Sequence, residues 1–109
     1  MSDPRYEPKD YLYGPQLGFG KNPDAEWDPT KGDEDPARLL ASQIQHVYAM
    51  RIRAELKSAG FTIREYAERT NQGYDRVAKF LGGRVVMNFE DVARAELELG
   101  GILRVTVEK

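Results

Sequence analysis

The sequence predicts a mainly α-helical domain of four or five compact helices, with a short C-terminal β-strand and an irregular N-terminal arm. Three observations predict it. Apolar residues recur at spacings of three and four through much of residues 36–99. Capping residues and glycines divide that stretch at helix-length intervals. Five of the six prolines fall within residues 1–35, where no helical or strand period survives.

Gly14, Gly18, Gly20 and Gly32 join those prolines, so residues 1–35 read as an irregular arm. The arm is nonetheless rich in Tyr6, Tyr11, Tyr13, Phe19 and Trp27, with Leu12 and Leu17 among them. Two readings stay open: the arm packs on the domain, or it docks on a partner.

Asp35-Pro36 opens the ordered part, residues 36–109, because Asp caps a helix and Pro is favoured at its first position. Leu40, Ile44, Val47, Tyr48, Ile52 and Leu56 give one helical face over 37–58, as one helix or as two broken near Tyr48–Met50. Gly60 is placed to end it in a left-handed conformation. Thr62 and Glu65 form a capping box for a helix from Ile63 to about Thr70. Asn71-Gln72-Gly73 is a turn, and Asn71 tolerates positive φ. A helix follows from Tyr74 to Leu81, closed by Gly82-Gly83. Asn88, with Asp91 three residues on, caps a further helix from Phe89 to Leu99, closed by Gly100-Gly101. In the tail 102–109, Leu103, Val105 and Val107 alternate with Arg104, Thr106 and Glu108, the pattern of a short strand.

Charge is distributed unevenly behind a net −2. Residues 1–35 carry −5, residues 36–87 carry +5 and residues 88–109 carry −2. A basic middle can meet phosphates while acidic flanks stay clear or compete. Cysteine is absent, which suits a reducing cytoplasm and excludes disulfides and thiolate metal sites. His46 is the only histidine, so no metal is expected. No apolar run reaches a bilayer span, and the polar, acidic start MSDPRYEPKD does not read as a secretory signal. No nucleophile is paired with a base, and the arm glycines lack the strand–helix setting of a nucleotide loop. An enzyme is therefore not expected, nor a cofactor.

Residues 63–82 form a functional unit. Two short helices cross at a sharp angle only where the first offers a small residue, and Ala67 stands there. Asn71 supplies the left-handed turn, while Val77 and Phe80 return to the core against Tyr66. This is the spacing of a DNA-binding helix-turn-helix. The stretch RIRAELKSAGFTIREYAERTNQGYDRVAKFLGGRVVMNFEDVARAELELG resembles the phage-repressor-like (Cro/C1, XRE) helix-turn-helix family over about fifty residues. The likeness includes Arg51-Ile52-Arg53, Leu56, Gly60, Ala67, Val77, Gly83, Leu99 and Gly100. Ile63 stands where that family often has a phosphate-binding Gln, and Asn71 where it often has Gly.

The resemblance implies that the helix from Tyr74 enters the major groove, with Tyr74, Asp75, Arg76 and Lys79 projecting outward. Arg76 is the expected base reader, through two hydrogen bonds to guanine. Asp75 is expected to accept from cytosine or to orient Arg76, and Tyr74 to meet a phosphate or a thymine methyl. Arg64, Arg69 and Arg84 are candidate phosphate contacts. The implied function is a sequence-specific double-stranded DNA-binding regulator, a repressor, acting as a homodimer through segment 37–50 or strand 102–109. The rival reading is a protein-interaction adaptor or antitoxin-like module whose N-terminal arm docks on a protein partner.

Overall fold

The computed structural model describes residues 6–13 and 18–104. Five α-helices run through them: α1 Pro29–Glu34, α2 Pro36–Ala59, α3 Ile63–Arg69, α4 Tyr74–Leu81 and α5 Phe89–Leu99. None is long and apolar enough to cross a membrane.

Local chemistry explains most of these boundaries. Asp35 accepts from the Arg38 N–H at the start of α2, and Pro36 occupies the first turn. The helix is continuous for 24 residues, with no break near Tyr48–Met50. Gly60 ends it at φ 76°. Thr62 and Glu65 close a reciprocal capping box at α3, and Asn88 and Asp91 close another at α5. Asn71 takes φ 56° in the turn between α3 and α4.

Ile52 and Leu56 from α2, Tyr66 and Ala67 from α3, Val77, Phe80 and Leu81 from α4, and Val92 and Ala95 from α5 share one core. Ile102 completes it from the C-terminal side. The N-terminal half of α2 departs from expectation. Leu40, Ile44 and Val47 face outward, while Ser42, Gln45, His46 and Ala49 are buried. The apolar face expected to bury is thus rotated away from the core over the first three turns.

Polar side chains fasten two other segments there. Gln45 Nε2 donates to the carbonyls of Phe80 and Val85 at 2.9 Å each, and its Oε1 accepts from Met87 N–H at 2.8 Å. It holds the chain between α4 and α5. His46 holds the arm: its Nδ1 accepts from Gly20 N–H at 2.8 Å, which puts the ring proton on Nε2, donating to the Asn22 carbonyl at 2.9 Å.

The described parts of the arm pack on the domain. Leu12 and Phe19 are buried, and Leu12 pairs with Trp27 in an isolated antiparallel bridge. Phe19 and Trp27 each meet the His46 ring edge to face. Lys9 N–H donates to the Gly83 carbonyl at 2.9 Å, and Phe19 covers Gly83, so the arm braces the exit of α4. A 3-10 turn at Pro8–Tyr11 and helix α1 lie within the stretch expected to be wholly irregular.

The expected strand is not formed over residues 102–104. Gly100, Gly101 and Arg104 have φ of 76°, 73° and 57°, outside the extended range a strand needs. Glu96 Oε1 accepts from Ile102 and Leu103 N–H groups, and Arg51 donates to the Ile102 carbonyl, so this segment folds back onto α2 and α5. The rest of the strand reading, residues 105–109, lies outside the described residues.

Candidate nucleic-acid interface

Helices α3 and α4 are joined by residues 70–73 and pack through Tyr66 and Ala67 against Val77 and Phe80. The turn is closed by Gln72 N–H donating to the Ala67 carbonyl at 2.8 Å, while Thr70 Oγ1 donates back to Tyr66. Because Val77, Phe80 and Leu81 are buried, the opposite side of α4 faces solvent.

That outer side carries two stripes at i, i+4 spacing. One is Tyr74 with the half-buried Ala78. The other is Asp75 with Lys79, joined by an ion pair at 2.9 Å. Asp75 therefore pairs with Lys79 and does not orient Arg76. The Arg64 guanidinium, from α3, lies 4.4 Å from the Tyr74 ring centre and braces it from one side. The N-terminus of α4 has no side-chain cap, whereas α3 and α5 each have a capping box. Gly73 has no side chain to accept from the first-turn N–H groups, and no side chain among the described residues caps them.

Arg76, the expected base reader, turns toward α5. Its Nη1 and Nη2 donate to the two carboxylate oxygens of Asp91 at 2.6 and 2.9 Å. Asp91 is 1% exposed and its Oδ2 also accepts from Asn88 N–H. Hydrogen bonding to Asp91 holds the Arg76 pKa above its ordinary value. The Arg76 side chain is 43% exposed and Asp91 is buried, so withdrawing Arg76 orphans one buried carboxylate, at the lower end of the about 3–5 kcal/mol typical of buried pairs. A good bidentate base contact contributes about 1–3 kcal/mol. The balance keeps Arg76 on Asp91, where it ties α4 to the cap of α5.

Arg69 is also engaged, donating to Glu98 at 2.9 Å and lying over the Phe61 ring. Arg84, just past α4, is exposed and makes no ion pair among the described residues. The Lys79–Asp75 pair is solvent-exposed, and such i, i+4 pairs contribute only about 0.3–0.5 kcal/mol, so Lys79 is readily released. Of the seven expected site residues, Tyr74, Asp75, Arg64 and Lys79 lie together with Arg84 nearby, and Arg69 and Arg76 are held in ion pairs to α5.

Sequence reasoning assigned no role to Gln45 or His46, or to Asp91 beyond the cap of α5. A buried-face register on α2 containing Gln, His and Ala was the available signal, but a stronger apolar stripe lay beside it. A second surface feature is apolar: Leu40, Ile44 and Val47 are exposed, and Ile44 lines a groove of about 230 Å³ with Val86 and Phe89. Phe89 is 94% exposed. No protein family, characterised protein or solved structure matches this chain.

Proposed function

We propose that this chain is a helix-turn-helix protein that binds double-stranded DNA sequence-specifically and acts as a transcriptional regulator, in the manner of a repressor, within a reducing cytoplasm. The observation that carries the reading is the side-chain-uncapped N-terminal half of α4. It stands outward from a positive-φ turn with Arg64 beside it, and Lys79 and Arg84 follow at the C-terminal end of the same helix. A phosphate is the acceptor that free helix N–H groups and flanking cations suit best. Fluorescence anisotropy with random duplex DNA tests it: binding should saturate at low salt and weaken steeply as salt rises. Absence of binding at low salt would leave the protein-adaptor reading in its place.

The outer face of α2 supports a homodimer. Leu40, Ile44 and Val47 form an exposed stripe within segment 37–50, and Ile44 shares a groove with Val86 and Phe89. An isologous contact needs one patch that offers both a knob and a hollow, and here Phe89 stands beside the groove. Ile44→Glu with Phe89→Glu should shift the sedimentation coefficient from dimer to monomer without loss of helicity. A parent protein that sediments as a monomer would exclude this surface as a dimer contact.

A further inference from the structure

Resting on the DNA-binding reading above, we infer that Tyr74, backed by Arg64 and extended by Ala78, is the base-reading element of α4, and that it reads thymine methyl groups. The inference comes from what α4 leaves available. Its arginine is fixed on Asp91, so no free guanidinium remains on the helix to grip guanine. Lys79 is releasable, but an ammonium on a flexible stem suits a phosphate as a point charge. Asp75, once Lys79 leaves it for a phosphate, is an exposed carboxylate that the surrounding phosphates repel.

Tyr74 differs from these. It sits in the first turn of α4, 43% exposed, and Arg64 covers one face of the ring at 4.4 Å. A braced ring has little side-chain freedom left to lose on binding, which favours a specific contact. Ala78, one turn further along, prolongs the same apolar stripe. Gly73 precedes them, and nothing lies within 4 Å of the place its side chain would take, so a duplex can approach the backbone closely there. Among the groups displayed in the major groove, the thymine C5-methyl is the apolar one. An aromatic–alanine stripe complements that methyl and leaves the hydrogen-bonding edges of the bases unread.

The test uses the full chain. A site is first selected from a random duplex pool; each thymine in it is then replaced singly by uracil, which deletes the methyl and keeps the pairing edge. Affinity should fall about three- to fivefold at one or two thymines per half-site, the effect of losing one buried methyl. Tyr74→Phe should keep that sensitivity, and Tyr74→Ala should bind thymine and uracil versions equally while circular dichroism shows it still folded at the assay temperature. Uracil replacement that is silent throughout the selected site would overturn the inference and leave DNA binding standing. So would a Tyr74→Ala variant with the parent's sensitivity. A pool from which no sequence enriches would overturn the DNA-binding reading itself, and this inference with it.

Discussion

Replacing Arg76 with Met tests whether this arginine holds the fold or faces the outside. Met keeps much of the apolar stem and removes the guanidinium. The carboxylate of Asp91, buried and 1% exposed, then keeps the Asn88 N–H and a more distant Arg94, whose Nη1 stands 3.8 Å away. Orphaning a buried charge costs about 3–5 kcal/mol, and the residual attraction of Arg94 places this case near 3 kcal/mol. For a domain of this size each kcal/mol lowers the melting temperature by about 4–8 °C. The expected fall is therefore roughly 12–24 °C, read by circular dichroism on heating. Adding Asp91→Asn removes the orphaned charge while keeping an acceptor for the cap, and should restore more than half of the loss. Lys79→Met, which breaks only an exposed pair, should stay within about 4 °C of the parent. If Arg76→Met also stays within that range, Arg76 is not a clamp, and the reasoning that removes it from base reading fails.

Three further outcomes follow from the packing. Burial pushes the His46 pKa below its ordinary 6.5, against a smaller opposing effect of the Asn22 carbonyl. The unfolded chain then binds more protons than the folded one, so stability is full above about pH 6.5 and declines as pH falls below it. Emission of Trp27, the single tryptophan, should change over that interval as the arm loosens, and His46→Gln should flatten the change. Gly83→Ala would press a methyl to 2.6 Å from the Phe19 ring at φ 72°, so it should cost more than about 1 kcal/mol in a urea titration; an unaltered midpoint would mean the arm does not brace the α4 exit. The buried Tyr66 hydroxyl has no hydrogen-bond partner among the described residues, and burial pushes its pKa up to about 12. Tyr66→Phe should therefore leave the melting temperature equal to the parent's or raise it by a few degrees, whereas a fall would reveal a missing hydrogen bond.

The parts of the fold that were legible in the sequence are those set by local chemistry. Thr62 with Glu65, Asn88 with Asp91, and Gly60 announce helix ends because each satisfies backbone groups within a few residues. The inward turn of Val77 and Phe80 was legible for a similar reason, since with Leu81 they form the strongly apolar side of an eight-residue helix whose other side offers only Tyr74 and Ala78. The buried face of α2 was not. Leu40, Ile44 and Val47 form the stronger apolar stripe, yet Gln45 and His46 turn inward because distant backbone groups at Gly20, Asn22, Phe80, Val85 and Met87 need partners. Periodicity carries no record of such long-range pairing. Arg76 illustrates the same limit at the candidate site: its place on α4 was readable, but its partner lies fifteen residues away on another helix. The tail 102–104 alternates like a strand, and the left-handed backbone at Gly100, Gly101 and Arg104 overrides that pattern.

The central claim is that DNA meets the face formed by α4, Arg64, Lys79 and Arg84. The most direct measurement is the slope of log affinity against log salt for duplex DNA, between about 50 and 200 mM salt. It is compared among the parent and the single variants Arg64→Gln, Lys79→Gln, Arg84→Gln and Arg69→Gln. The account predicts a steep negative slope for the parent, reduced by about one by each of the first three substitutions. Arg69→Gln should leave it unchanged, because Arg69 is held by Glu98 and Phe61. A parent that does not bind at the lowest salt, or a slope that none of the first three variants alters, would contradict the account.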